Sequence, residues 1–231
     1  MKFLIQTIDN KIKHDFSFAL VESCEYHNWL HTNCDMKYYL ANEPTKIKVR
    51  TEYIPIGNVE FVTKYLQKYY NLIPKPKNIP SELIDKNWTG RNILNGTEKD
   101  INGEKFVKSN DKIKFFAEIC KNAPEGNYQI SDLIEIESEW RAFVFKKELV
   151  GLNNYSGKFD IFPDVNKIKA MINNYKSQPI AFTLDVAITN NSNTVIIEVH
   201  DFFSCGLYGF SNHKILPYMF SNWFYSFIKN N

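Results

Sequence analysis

The sequence predicts an α+β fold in which helices alternate with strands that pair mostly as antiparallel hairpins. Two observations support this class. Runs rich in β-branched and aromatic residues are bounded by polar turns, and amphipathic segments of helical length lie between them. With 231 residues, of which 44% are hydrophobic, the chain can bury a sizeable core as one large domain or as two to three lobes.

The first part of the chain, residues 1–75, predicts a small α/β lobe. Asn58 is a suitable N-cap for the second of its helices. The proline-rich stretch "IPKPKNIP" is the clearest break in the pattern, and we place a linker over residues 74–104. The elements of this lobe are a strand at "KFLIQTI", a helix at "FSFALVESCEYHNWLH", a strand near "KVRTEYIPI" and a helix at "GNVEFVTKYLQKYY".

The remainder of the chain predicts a central lobe, residues 76–138, and a C-terminal lobe, residues 139–231. A tight connection at Lys146 and Lys147 joins two of the strands. The predicted strands are "EKFVKS", "NYQISDLIEIE", "EWRAFVF" and "KKELVGL", and the predicted helices are "FPDVNKIKAMINNYKSQ" and "LPYMFSNWFYSFIKN".

The stretch "AFTLDVAITNNSNTVIIEVHD" predicts a hairpin that carries an acid in the middle of each strand. A loop over Asn190 to Asn193 places Asp185 opposite Glu198, on the face away from the core. Like charges are destabilising when their Cβ atoms are about 5 Å apart, so a positive group is expected between them. A divalent cation would satisfy this expectation, whereas the simpler interpretation is a solvated face whose acids point into water.

Charge and composition limit the partners. The net charge of +2 gives no strong attraction to nucleic acid or membrane, so no nucleic-acid or membrane partner is expected. The sequence contains no long apolar run and no signal-peptide core, and a cytoplasmic location is expected. The four cysteines are too scattered for a disulfide framework, which predicts reduced thiols.

The segment "CEYHNWLHTNC" spaces its cysteines and histidines like a zinc site. On one helix its first and last members would lie about 15 Å apart, which is too far for one ion to reach both. We therefore expect these residues to be packing residues rather than zinc ligands: Cys24, His27, His31 and Cys34.

Three basic residues are candidate anion contacts. Lys108 ends the short apolar strand "KFV", where it is either a surface lysine or a cation that projects towards a phosphate. Arg141, in "SEWRAFVF", is either an ion-paired core guanidinium or an anion clamp. Arg91, in "WTGRNI", is either a surface residue or a phosphate contact.

Taken in order, the segments "FVKS", "YQISDLIEI", "SEWRAFV", "TLDVAI" and "IIEVHD" resemble the ATP-grasp superfamily, and Asp185 and Glu198 lie 13 positions apart, as in its carboxylate-amine ligases. The phrases "YIPIGNVEFV", "SEWRAFVF" and "EVHDFFSCGLYGF" are similar to a phage and bacterial clade named for two arginines and one lysine. The resemblance covers roughly residues 50–210. It implies a tripartite ATP-grasp fold with antiparallel sheets flanked by helices.

The resemblance implies a role for each site residue. Nucleotide contacts would be Lys108 at the phosphates, Asp132, Leu133 and Ile134 at the adenine, and Glu139 at the ribose. The metal ligands would be Asp185, Glu198 and His200, although His200 stands where the family has asparagine and is alternatively a phosphate contact. Arg91 and Arg141 would neutralise the γ-phosphate or an acylphosphate. Lys105 and Lys114 are candidates for a second phosphate lysine.

The function implied is an ATP-dependent carboxylate-amine ligase that uses ATP and Mg²⁺ and forms an amide through an acylphosphate. Its partners would be a small molecule or peptide with a carboxylate and an amine acceptor. One alternative is a metal-dependent nuclease that uses Asp185 and Glu198, although E-x-H stands where such enzymes carry E-x-K. The other is a nucleotide-binding module that has lost catalysis, which the histidine at 200 favours.

Overall fold

A computed structural model describes residues 1–47, 52–113 and 115–230. Its helices are α1 (Asp15–Leu30), α2 (Val59–Tyr70), α3 (Lys86–Thr89), α4 (Val165–Asn174) and α5 (Leu216–Asn230). Its strands are β1 (Lys2–Gln6), β2 (Lys37–Ala41), β3 (Ile54–Ile56), β4 (Ile93–Thr97), β5 (Lys105–Ser109), β6 (Ala117–Cys120), β7 (Asn127–Ser131), β8 (Ile136–Phe145), β9 (Glu148–Gly157), β10 (Ala181–Thr189) and β11 (Thr194–Asp201). None of the described helices combines the length and apolar character that crossing a membrane requires.

The chain divides into two compact units. The first unit contains Met1–Ile73, Pro179–Ala181 and Asp201–Asn231, and the second contains Pro74–Gln178 and Phe182–His200. The first unit thus includes most of the lobe predicted over residues 1–75 together with the end of the chain. The three-lobe division at 75 and 138 stays a prediction.

The first unit is built on a parallel sheet with the strand order β2-β1-β3. The side chain of Asn58 accepts a hydrogen bond from the Phe61 N–H at 2.8 Å, so it caps α2 as the sequence predicts. Helix α1 lies against the chain just before α5, where the Ser23 hydroxyl donates to the carbonyl of His213 at 2.9 Å. Of the strand expected near "KVRTEYIPI", β3 is present, and residues 48–51 lie outside the described part of the chain.

The second unit contains two four-stranded sheets, ordered β4-β7-β5-β6 and β11-β10-β8-β9. Antiparallel pairing joins β4 to β7, β5 to β6 and β7, and β8 to β9. Helix α4 covers the second sheet, and its Ile168 and Met171 join the same core as β10. Every second residue of β10 enters that core, so that Asp185 faces away from it as predicted. These core residues are Phe182, Leu184, Val186 and Ile188.

The connection between β8 and β9 is the tight turn that the sequence predicts. Lys146 and Lys147 have φ values of 51° and 70°, so both central residues are left-handed, as a two-residue type I′ hairpin requires. The turn fixes the register of the two longest strands of the second unit, in which Phe145 pairs with Glu148.

The loop of the β10–β11 hairpin has the four residues that the sequence predicts. The Thr189 N–H donates to the Asn193 carbonyl at 3.0 Å, and the Ser192 N–H donates to the Thr189 carbonyl at 2.8 Å. Ser192 has a φ of 58°, which completes a three-residue turn of the type I plus bulge kind. The loop between the strands is therefore the predicted Asn190 to Asn193, and its turn is formed by Asn190 to Ser192.

Strand β11 is irregular at the position of its acid. Ile196 and Val199 both enter the core, yet residues three apart lie on opposite faces of a regular strand. The alternation therefore breaks between them. Because of this break, Ile197 and Glu198 both line a cavity on the other side.

Candidate functional site

A cavity of about 330 Å³ in the second unit is lined by residues from both of its sheets. Its volume lies at the lower end of the range for small-molecule sites. Strands β5 and β7 contribute Lys108 and Ser131, β8 and β9 contribute Glu139 and Tyr155, and β11 contributes Glu198. Charged groups from strands that are distant in sequence thus face one space.

One wall of the cavity is apolar. It includes Leu133 in the connector between β7 and β8, together with four further side chains from β5, β6, β8 and β11: Phe106, Ile119, Ile136 and Ile197. Ile119 and Leu133 are 60% and 42% exposed, so part of this wall is open to solvent. Exposed apolar side chains that line a cavity are suited to covering the face of a flat ring.

Glu198 is held by two cationic or potentially cationic side chains. It forms a salt bridge with Lys108, and the Nε2 atom of His200 lies 2.8 Å from its Oε2 atom. Burial by itself would raise the pKa of this carboxyl group, but His200 and Lys108 outweigh that effect and lower the pKa from 4.5 to about 2. Glu198 is therefore ionised across the physiological pH range.

Asp185 is held by the guanidinium of Arg141. The Nε and Nη2 atoms of Arg141 donate to Oδ1 and Oδ2 of Asp185 at 2.8 and 2.7 Å. The two side chains are only 8% and 4% exposed. Of the two interpretations of Arg141, this structure contains the ion-paired core guanidinium.

Side chains supply the positive charge that the sequence led us to expect near the two acids. Arg141 neutralises Asp185, and Lys108 neutralises Glu198. Solvated acids with only water between them, the simpler interpretation of the sequence, are thus excluded because both carboxylates are paired.

The same acids form the only group of metal-ligand type found among residues 1–47, 52–113 and 115–230. One potential ligand atom from each of Asp185, Glu198 and His200 lies within 4.8 Å of the other two. Carboxylate oxygens suit a hard divalent cation, and the imidazole nitrogen is acceptable to a softer one. The donor set therefore fits a divalent cation.

Arg91 lies at the cavity with its guanidinium bound by neutral groups. It donates to the Ser131 hydroxyl at 2.7 Å and to the carbonyls of Thr89 and Ile196 at 2.9 and 3.2 Å. The residue is 7% exposed, and burial lowers its pKa to about 10 although the charge of Asp132 opposes that shift. A buried cation that donates its hydrogen bonds to uncharged groups favours an anionic ligand beside it.

The connector residue Asp132 is fixed from both sides. Lys105 donates to Oδ1 at 2.6 Å and Asn92 donates to Oδ2 at 2.7 Å. Both hydrogen bonds lower the pKa of Asp132, and the bond from Lys105 has the larger effect. Lys105 therefore holds the connector, and the other candidate lysine, Lys114, lies outside the described residues.

Tyr155 belongs to the site, although no sequence pattern identified it. Its ring lies 5.6 Å from the guanidinium carbon of Arg141, and its side chain is hydrogen-bonded to Glu139. Burial, the charge of Asp185 and that hydrogen bond all raise its pKa. The segment "NNYSG" carries no motif, and only the strand pairing of β9 brings this tyrosine to the cavity.

The structure brings the ten predicted site residues into one region. Asp185 and His200 adjoin Glu198, and Arg141 binds Asp185. The other seven line the cavity: Arg91, Lys108, Asp132, Leu133, Ile134, Glu139 and Glu198.

In the first unit, the cysteines and histidines of "CEYHNWLHTNC" lie in different environments from one another. Cys24 is fully buried, and Nε2 of His27 lies 2.7 Å from the carbonyl of Lys214. His31 is exposed, and Cys34 lies beyond the end of α1. These four do not form a metal-ligand group in the part of the chain that the structure describes.

Comparison with known proteins gives a family match that covers most of the second unit and continues into the C-terminal part of the first. The family described as "ATP-grasp domain, R2K clade family 2" matches residues 88–217, which is more than half of the chain. No curated protein matches the sequence significantly.

Several solved structures share the fold at low sequence identity. A RimK domain protein ATP-grasp from Sphaerobacter thermophilus DSM 20745 is 10% identical, with a TM-score of 0.61 over 97% of this chain and 100% of that chain. D-alanine–D-alanine ligase from Bacillus anthracis is 12% identical, with a TM-score of 0.53 over 99% and 98%. N5-carboxyaminoimidazole synthetase from Staphylococcus aureus, complexed with ADP, is 9% identical, with a TM-score of 0.55 over 96% and 76%. The predicted fold class is confirmed.

Proposed function

Because this chain belongs to the ATP-grasp domain family of the R2K clade, we propose that it is an ATP-dependent ligase that joins a carboxylate to an amine. The observation that carries the proposal is the single cavity that gathers Lys108, Glu139 and Glu198 beside an apolar wall. The substrates would be a small molecule or peptide with a carboxylate and an amine acceptor.

The residues that line the cavity support one orientation of a bound nucleotide. The apolar wall around Leu133 would cover the adenine, and the backbone of Asp132 to Ile134 would meet its polar edge. Glu139 would accept hydrogen bonds from the ribose hydroxyls. Lys108 would turn from Glu198 to the phosphates, since an ammonium on a flexible stem can exchange one anion for another.

The proposed reaction has two steps. An oxygen of the substrate carboxylate attacks the γ-phosphorus of ATP, the bond to the β-phosphate oxygen breaks, and ADP leaves with that electron pair. The amine nitrogen then attacks the acyl carbon, inorganic phosphate leaves, and the amine loses a proton to give an amide. Arg91 would stabilise the negative charge that develops on the transferred phosphoryl and leaving phosphate groups.

The candidate ligands for a divalent cation are Glu198 and His200, with Asp185 beside them. When bound, such a cation supplies charge neutralisation at the phosphates. The remaining contribution of the chain is to position the two substrates and to exclude water from the acylphosphate. The nuclease hypothesis leaves Lys108 and Glu139 without roles, and family membership argues against it.

The proposal is tested by binding and turnover. Calorimetry with ATP and Mg²⁺ should give one nucleotide per chain, and ADP release should depend on both an added carboxylate and an added amine. Nucleotide binding without any substrate-dependent ADP release from a broad panel would support the inactive module instead. Absence of ATP binding would reject the ligase.

A further inference from the structure

The two acids of the candidate metal site are held in different ways. Asp185 meets a planar guanidinium with both of its oxygens, at 2.8 and 2.7 Å, and the pair is almost fully buried. Glu198 meets one ammonium and one imidazole, and its side chain is 23% exposed. The difference decides which acid can change partners.

Arg141 is held firmly on Asp185. Its side chain is 8% exposed and lies against the ring of Tyr155, so little solvent is available to replace the carboxylate. A cation that coordinated Asp185 would have to displace two charge-assisted hydrogen bonds and leave a buried guanidinium without its counter-ion. The pair therefore stays together when a ligand enters.

Glu198 can be released by the ligand itself. Lys108 lines the cavity, and its single ammonium can move to a phosphate without loss of charge pairing. His200 is 35% exposed, and its Nε2 atom lies 2.8 Å from the carboxylate of Glu198. One carboxylate and one imidazole then face the phosphates together.

We propose that Arg141 takes the place of a second cation, so that the site binds one divalent ion, on Glu198 and His200. This inference rests on the proposed nucleotide-binding function and adds a stoichiometry to it. Asp185 is then a positioning residue that holds Arg141, and the guanidinium supplies the fixed positive charge on that side of the site.

The test is a Mn²⁺ titration of the full chain, with the electron paramagnetic resonance signal reporting free Mn²⁺. Protein and a non-hydrolysable ATP analogue are held at equal concentrations well above the dissociation constant of the analogue. One Mn²⁺ bound per protein is the expected result. Two Mn²⁺ per protein would overturn the inference.

Matched variants separate the roles of the two acids. Glu198→Gln should bind Mn²⁺ with at least tenfold lower affinity than wild type. Asp185→Asn should still bind one Mn²⁺, with an affinity within about threefold of wild type. Arg141→Gln, if folded, should gain a second Mn²⁺ because it exposes the charge of Asp185. Equal losses in the Glu198 and Asp185 variants would refute the inference even if the Arg141 variant fails to fold.

The two proposals fail differently in this experiment. If the wild type binds the analogue with two Mn²⁺, the nucleotide site stands and the single-cation inference is wrong. If the wild type does not bind the analogue at all, both proposals are wrong.

Discussion

Replacing Glu198 with glutamine is expected to lower the free energy of unfolding of the ligand-free protein by about 3 kcal/mol at neutral pH. Glutamine has the shape of the protonated glutamic acid, so the substitution removes the charge and little else. The carboxylate it replaces is paired with Lys108 and His200 in a partly buried position.

The magnitude follows from the pKa of Glu198, which is lowered from 4.5 to about 2. Burial raises this pKa, and the two partners more than offset it. A tenfold change in the acid dissociation constant between the unfolded and folded states corresponds to about 1.4 kcal/mol, which gives about 3 kcal/mol of stabilisation here. Because the pKa is lowered on folding, the stabilisation is complete above pH 4.5 and disappears as the pH falls through about 2.

The assay is urea denaturation followed by tryptophan fluorescence, with wild type and variant compared at pH 7 and at steps below pH 4.5. The matched control is Glu137→Gln on β8. Glu137 forms a 2.8 Å salt bridge with Lys158, whose side chain is 60% exposed, and such surface pairs contribute less than about 1 kcal/mol.

An increase in the free energy of unfolding on replacing Glu198 would refute the reasoning. If the acids of the hairpin repelled each other without partners, Glu198→Gln would raise stability by up to about 1 kcal/mol. A variant as stable as wild type at pH 7, or more stable, would show that Lys108 and His200 do not compensate the charge.

Three further predictions concern the nucleotide, a helix cap and zinc. Lys108→Ala should weaken ATP binding in the presence of Mg²⁺ by roughly 1.5 to 3 kcal/mol, measured by calorimetry, because a charge-assisted hydrogen bond is lost. Exposed Lys99→Ala is the control, and equal affinities would remove Lys108 from the site. Asn58→Ala should lower the unfolding free energy by about 1 kcal/mol in denaturant titrations through loss of the α2 N-cap, and no change would show that water replaces the cap. Purified protein should hold less than one equivalent of zinc by elemental analysis, and a chelator should leave its melting temperature unchanged. A tightly held equivalent of zinc would contradict the packing role of four residues: Cys24, His27, His31 and Cys34.

Sequence patterns predicted those elements that depend only on residues close together in the chain. Alternation identified the core face of β10, the polar residue before "VEFVTKYLQKYY" identified the α2 cap, and two lysines between apolar runs identified the β8–β9 turn. Strand β6 was not predicted because it is four residues long and mostly exposed, so its sequence shows no alternation of buried and exposed residues. The type of turn inside the β10–β11 loop could not be predicted because Ser192, rather than glycine, takes the left-handed position.

The charge pairs of the site could not be predicted in the same way. Arg141 and Asp185 are 44 residues apart, and only the order of the strands in the second sheet brings them together. Sequence reasoning therefore identified the need for positive charge near the acids but not its source. Tyr155 was missed for the same reason, because its contacts depend on the pairing of β8 with β9.

The discontinuous make-up of the first unit affects how the protein folds during synthesis. Ser23, in α1, bonds to His213, which is 190 residues later in the chain, and Asp201–Asn231 belongs to that unit. At about 5 to 20 residues per second, a ribosome needs roughly 10 to 40 s to make the intervening segment. During that time the face of α1 that packs near the end of the chain is uncovered. A stalled or truncated chain would therefore expose apolar surface to chaperones and proteases, although its first strands and helices are already complete.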